Sequence, residues 1–192
     1  NRRLKASSFF DSLSQSIESL LSFKSNKISQ KNSISSISLI LKNYKNFLNK
    51  NDYKTIKNMQ IAANFSGKAI STTATGAPHA LSYYLSSSFN LYHGISVMIY
   101  LPTVLEYNFK YKNTLNKVNR KKLSFRINLL KKVFGVKSED KIIKKIKNII
   151  NFSNVNLSIK KELIDIKKQK KSINIKRLEN NPIPINYLEI LK

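Results

Sequence analysis

The chain has 192 residues, enough for one domain or a large part of a bigger enzyme, and its 41% hydrophobic content can supply a core. It has no cysteine, which excludes disulfides and thiolate metal sites, and no apolar run near the ~20 residues a membrane span needs. Its 35 Lys+Arg against 10 Asp+Glu give a formal charge of +25, but lysine recurs in nearly every segment after Asn43 instead of forming one stripe, so the charge reads as solvated surface before it reads as a nucleic-acid site.

Residues Ala6 to Phe23 read as a helix. Ser7 or Ser8 can cap it, and Phe10, Leu13, Ile17, Leu20 and Leu21 recur at spacings of three and four. Asp11, Gln15 and Glu18 occupy a neighbouring stripe at i, i+4 and i+7, where two side chains can converge on one ion. The plainer reading of Asp11 is a first-turn acid set against the helix dipole. A polar loop is expected from Ser25 to Ser33, then a helix from Ile34 to Leu48, a turn over Asn49-Lys50-Asn51-Asp52, and a helix from Tyr53 to Ile70 rich in small residues. Ser71 to Gly76 reads as a flexible polar loop able to place hydroxyls around a ligand.

A short helix opened by His79 follows, then a loop from Ser86 to Asn90. His93-Gly94 starts the most apolar helix, which should be buried, with a kink at Pro102. Beyond Asn108 the texture turns basic. A helix over Lys121 to Phe134 can end at Gly135, and another is capped by Ser138-Glu139-Asp140, with Ile142, Ile143, Ile146, Ile149 and Ile150 on its core face. A basic segment over Lys160 to Lys171, a turn at Asn180-Asn181-Pro182-Ile183-Pro184 and a short helix from Asn186 to Leu191 complete the chain.

His79 and His93 are the chain's two histidines, and both sit beside glycine or proline in a small, apolar setting. Imidazole nitrogen suits Zn²⁺ or Fe²⁺, and a carboxylate adds a hard ligand. Two histidines on separate elements across a loop can meet at one cation. The alternative is one buried, hydrogen-bonded histidine and one surface histidine.

The chain resembles the C-terminal, all-helical domain of the iron-containing (group III) alcohol dehydrogenases. That family shows Asp-Ala-Leu-x-His-Ala-x-Glu on a helix, later His-x-x-x-His, and then Pro-His-Gly. Here the counterparts are Asp11-Ser12-Leu13-Ser14-Gln15-Ser16-Ile17-Glu18, His79-Ala80-Leu81-Ser82-Tyr83 and Tyr92-His93-Gly94. The resemblance implies metal ligands at Asp11, Gln15, His79 and His93, with Gln15 replacing a histidine. Tyr83 replaces the second histidine of His-x-x-x-His, and is the expected catalytic hydrogen-bonding group toward substrate or cofactor. Ala62-Ala63-Asn64-Phe65-Ser66-Gly67-Lys68-Ala69-Ile70, Ala77-Pro78-His79-Ala80-Leu81-Ser82-Tyr83 and Leu178-Glu179-Asn180-Asn181-Pro182 are most similar to the branch that reduces phosphonoacetaldehyde to 2-hydroxyethylphosphonate. Ala74 stands where that branch would carry a basic residue, so Lys68, Thr72, Thr73 and Thr75 are the expected substrate contacts.

The expectation is therefore an all-α helical bundle over residues 1–192, the metal-binding domain of a two-domain dehydrogenase using Fe²⁺ or Zn²⁺ and NAD(P)H. A Rossmann-like N-terminal domain outside this chain would hold the cofactor. The chain begins without methionine and is expected to be a fragment, inactive alone. A small aldehyde or phosphonate is the expected partner, with a cytoplasmic location, no membrane, and an arrangement compatible with a homodimer. The alternatives are a general iron-type alcohol or aldehyde dehydrogenase, and a non-catalytic basic helical module binding nucleic acid.

Overall fold

The computed structural model describes residues 1–50, 52–157, 159 and 163–190, and these contain helices and no strand. In chain order the helices are α1 (Arg2–Leu21), α2 (Lys27–Asn49), α3 (Tyr53–Thr73), α4 (Ala77–Ser88), α5 (His93–Tyr111), α6 (Lys117–Phe134), α7 (Glu139–Ser153), α8 (Ile166–Ser172), α9 (Ile175–Leu178) and α10 (Tyr187–Ile190), with a 3₁₀ turn at Lys112–Thr114. The all-α expectation holds. Of the expected elements, Asn51, residues 160–162 of the basic segment and Leu191 lie outside the described residues.

α1 starts a turn earlier than its apolar spacing predicts. Asn1, not a serine, caps it, its side-chain oxygen accepting from the N–H groups of Arg3 and Leu4. Asp11 consequently sits mid-helix, and the first turn holds no acid, which removes the dipole reading. The loop expected over Ser25 to Ser33 is mostly helix. Asn26 and Ser29 form a reciprocal capping box, and Ser29, Ser33 and Ser36 are buried against neighbouring helices. Here serine acts as a small core residue that lets helices approach, which a hydrophobicity pattern scores as loop.

α3 likewise runs on through Ser71 and Thr72 to Thr73, so much of the expected polar loop is helical. α4 has Pro78 in its first turn, where a missing N–H is harmless, and extends to Ser88. α5 continues through Pro102 without a break. Gly135 ends α6 as expected, in the left-handed conformation (φ 63°), with its N–H and that of Val136 bonded to the carbonyls of Lys131 and Lys132.

Short connections fold α1, α2 and α3 back on one another, and α1 also packs against α5, α6 and α7. It is therefore the centre of the main core: Ala6, Phe9, Phe10, Leu13, Ile17 and Leu20 are fully buried. Each such large side chain removed from water contributes roughly 1.5–3 kcal/mol before the ordering cost. A second core lies between α4, α5 and the C-terminal segments, built on Leu81, Tyr84, Leu85, Tyr100, Val104 and Leu178. Inside it Gln169 Nε2 donates to Tyr100 Oη, and the Asp165 N–H donates to Tyr84 Oη. The two histidines sit where these cores meet, against α1.

Candidate metal centre

Three elements converge on one point. α1 contributes Asp11, the first turns of α4 contribute His79, and the first residue of α5 is His93. Gly94 makes the last placement work. A Cβ there would lie 1.9 Å from the Ser7 carbonyl oxygen and 2.9 Å from the Asp11 backbone nitrogen, so only glycine lets α5 begin directly on the α1 backbone. The Gly94 N–H also donates to Ser7 Oγ at 3.1 Å.

His79 is buried and bonded at both ring nitrogens, Nδ1 to Glu18 Oε1 at 2.6 Å and Nε2 to Asp11 Oδ1 at 3.0 Å. His93 Nε2 stands 3.7 Å from the same Asp11 oxygen, with its side chain 44% exposed. The two rings meet edge to face with centroids 5.3 Å apart. Glu18 is buried yet fully engaged. Its carboxylate accepts from Ser14 Oγ (2.8 Å) and the Gly76 N–H (2.5 Å) besides facing His79. Without these partners a buried carboxylate would cost several kcal/mol.

Burial works against a charge on His79, but Glu18 and then Asp11 outweigh it and push its pKa up to about 9. His93 moves the other way. Partial burial lowers it, helped by the His79 and Arg177 charges and opposed mainly by Asp11.

Gln15 joins the group through α1. Its Nε2 donates to the other Asp11 oxygen at 2.9 Å, and its Oε1 accepts from Ser66 Oγ of α3 at 2.9 Å. Tyr83 lies beside His93, its ring 6.2 Å from that of His93 and 5.8 Å from the Arg177 guanidinium. The four expected substrate contacts do not join the cluster together. Lys68 and Thr72 are on the exposed side of α3. Thr73 is buried and donates to the Ala69 and Ala74 carbonyls, and Thr75 is buried with its hydroxyl accepting from Arg177 Nη1.

The donors fit a divalent cation. A cation bound by imidazole and carboxylate at about 2.1 Å needs donor atoms roughly 3–3.5 Å apart. Here Asp11, His79 and His93 each offer one atom within 4.8 Å of the others, two of the separations being 3.0 and 3.7 Å. The Glu18–His79 bond is the outer-sphere carboxylate–histidine pairing that fixes a ligating imidazole, leaving Nε2 toward the cation. Glu18 was missed as a site residue in the sequence, although its place seven residues after Asp11 was the available signal.

Asn180 holds the loop that carries Gly76, and Asn181 ties the same turn to α5. Asn180 Nδ2 donates to the carbonyls of Thr73 (2.7 Å) and Thr75 (3.0 Å), and Asn181 exchanges side-chain bonds with Asn108 of α5. Among the described residues no helix is long and apolar enough to cross a membrane.

An all-helical domain that brings a carboxylate from the middle of α1 together with two imidazoles from the first turns of α4 and α5 gathers a donor set of the kind that can hold a metal ion. The chain belongs to the Fe-containing alcohol dehydrogenase family, whose C-terminal domain matches residues 5–184. It is similar to 1,3-propanediol dehydrogenase of Citrobacter freundii, 27% identical over 106 residues, which is 55% of this chain and 27% of that protein. Among solved structures it superposes over its whole length on 49% of sulfoacetaldehyde reductase from Bifidobacterium kashiwanohense, in complex with NAD+ (TM-score 0.84, 20% identity). It also superposes on 48% of an iron-containing alcohol dehydrogenase from Thermotoga maritima (TM-score 0.75, 24% identity). The chain thus spans about half the length of these solved relatives.

Proposed function

We propose that this chain is the metal-binding half of a reductase that converts an aldehyde to an alcohol with NADH or NADPH, the cofactor being held mainly by a further domain. The observation that carries the reading is the convergence of Asp11, His79 and His93 on one point, with Glu18 behind His79. These residues, with Gln15, are the proposed ligands of Fe²⁺ or Zn²⁺. When bound, the cation supplies Lewis acidity toward a carbonyl oxygen.

The chain's own groups supply the rest. Glu18 holds the Nδ1 proton of His79, so Nε2 faces Asp11 and the donor cluster. Gln15 is a neutral and weaker donor. A half-turn of its amide would let Nε2 donate to Ser66 Oγ but would set Oε1 against the Asp11 oxygen that now accepts from Nε2, so Oε1 could serve as a ligand only if a cation offset the loss of that bond. Tyr83 borders the exposed edge of His93, and its phenol is the proposed hydrogen-bonding group toward substrate or cofactor. The narrower proposal for the substrate is phosphonoacetaldehyde, supported by the stretches Ala77-Pro78-His79-Ala80-Leu81-Ser82-Tyr83 and Leu178-Glu179-Asn180-Asn181-Pro182. The narrower proposal for location is the cytoplasm, which the absence of cysteine from these 192 residues suits.

The test is metal analysis and NAD(P)H oxidation on the full-length protein. One Fe or Zn per chain is expected, lost in His79→Ala and His93→Ala together with turnover of phosphonoacetaldehyde. Hydride transfer by residues 1–192 alone, or metal content indifferent to both histidines, would overturn the proposal.

A further inference from the structure

Arg177 is a cation close to the donor cluster, and its charge is not spent on an acid among the described residues. It sits on the four-residue helix α9, half-buried, with Nη1 donating to Thr75 Oγ1 at 2.5 Å and its guanidinium 5.8 Å from the Tyr83 ring centre. Among the described residues no carboxylate forms a salt bridge with it. Its partners orient the guanidinium without neutralising it. Thr75 is buried and fixed by Asn180, which bonds the backbone carbonyls on both sides of Ala74. Tyr83 in turn stacks toward His93. A fixed cation is thereby set beside the donor cluster, the Tyr83 ring lying 5.8 Å from its guanidinium and 6.2 Å from the His93 ring.

Guanidinium presents a planar fork of N–H donors that matches tetrahedral oxyanions, and holding it in place lowers the entropy lost on binding. The expected substrate contacts on α3 do not offer this. Lys68 is solvent-facing, and the Thr73 hydroxyl is occupied. We propose that Arg177, oriented by Thr75 and Tyr83, is the specificity residue that binds the anionic head group of a short aldehyde, a phosphonate or a sulfonate, while the carbonyl end lies at the donor cluster. This rests on the reductase reading above, and names the residue that would make such an enzyme prefer charged aldehydes.

The test uses the full-length, metal-loaded protein and three aldehydes: phosphonoacetaldehyde, sulfoacetaldehyde and neutral propanal. Arg177→Met should raise KM for the preferred charged aldehyde by roughly 10- to 100-fold, the loss expected for a charge-assisted hydrogen bond, with kcat and propanal turnover little changed. The wild-type ratio between the first two substrates tells phosphonate from sulfonate. Arg177→Lys keeps the charge but not the fork, and should recover part of the loss. An equal loss on all three aldehydes makes Arg177 a structural strap and overturns the inference, as does no loss at all. Binding of ethylphosphonate, followed by ³¹P NMR, decides the case independently of turnover. If the protein reduces none of the aldehydes, the reductase reading fails, yet saturable ethylphosphonate binding lost in Arg177→Met still supports the anion site. Ethylphosphonate binding unchanged in Arg177→Met, or none in wild type, overturns it. Should Arg177→Met fail to fold, Arg177→Lys carries the same comparisons.

Discussion

Glu18 shows how much one side chain decides here. Its Oε1 faces both Ser14 and His79, while Oε2 takes the Gly76 N–H, so one carboxylate ties α1 to the first turns of α4. Glu18→Gln keeps the volume, but its amide must turn an NH₂ toward a donor. The expected result is metal affinity lower by about 10- to 100-fold, measured by chelator competition, with the fold retained. Unchanged affinity would remove Glu18 from the orienting role. That Asp11, His79 and His93 would lie together was legible in the sequence because rare residue types stand out in a lysine-rich chain. Glu18 was visible only as a position on the same stripe. Its function depends on how far α1 is rotated into the core, and spacing alone leaves that rotation open. Arg177 was illegible for a related reason, since no local pattern joins a four-residue helix near the C-terminus to Thr75 and Tyr83.

At the scale of elements, the site depends on two backbone details that side-chain patterns do not reveal. The first is the crossing of α5 on α1. Gly94→Ala would drive a methyl into the Ser7 carbonyl, a backbone atom that cannot swing away. Overpacking of this kind costs about 1–3 kcal/mol or more, and relief requires lifting the start of α5, which carries His93. The variant should melt lower and bind metal weakly or not at all. Wild-type affinity in Gly94→Ala would mean that α5 does not set the geometry. The second is Ala74, whose φ of 57° and ψ of −178° lie in a region that suits glycine. Asn180 clamps both flanking carbonyls and holds it there. Ala74→Gly should stabilise the protein by roughly 1 kcal/mol, since that strain is generally of order 1–3 kcal/mol and glycine's greater unfolded entropy offsets part of the gain. A lower melting temperature would argue against the strained loop. The helices themselves were mostly legible, and the misreadings had one cause. Serine-rich stretches at the start of α2 and threonines at the end of α3 look like loop by composition, but they are helical because capping and close packing outweigh weak propensity.

Across the whole molecule, the site links folding, protonation and metal through one imidazole. In the metal-free protein His79 is an imidazolium between Glu18 and Asp11, with its pKa pushed up to about 9. A pKa raised above the ordinary 6.5 stabilises the folded state fully below 6.5, and that contribution disappears as pH climbs through 9. Its size is on the order of 3 kcal/mol. The melting temperature of the chelated protein should therefore fall between pH 7 and pH 9.5. If His79 Nε2 holds a cation in place of its proton, Nδ1–H can still donate to Glu18, so the metal-loaded protein should not show that fall, and the gap between the two forms should widen with pH. His93 is held below its ordinary value and is already neutral above pH 7, so it releases no proton in this window. Binding should then displace one proton, and apparent affinity should rise about tenfold per pH unit from 7 until it levels off near 9. Chelator-competition titrations at half-unit steps measure that slope. A slope near two would mean that His93 also starts protonated, and a slope near zero would mean that the Glu18–His79–Asp11 chain does not hold its proton. Only the one-proton slope, lost in Glu18→Gln, fits a buried histidine that two carboxylates keep charged until metal arrives.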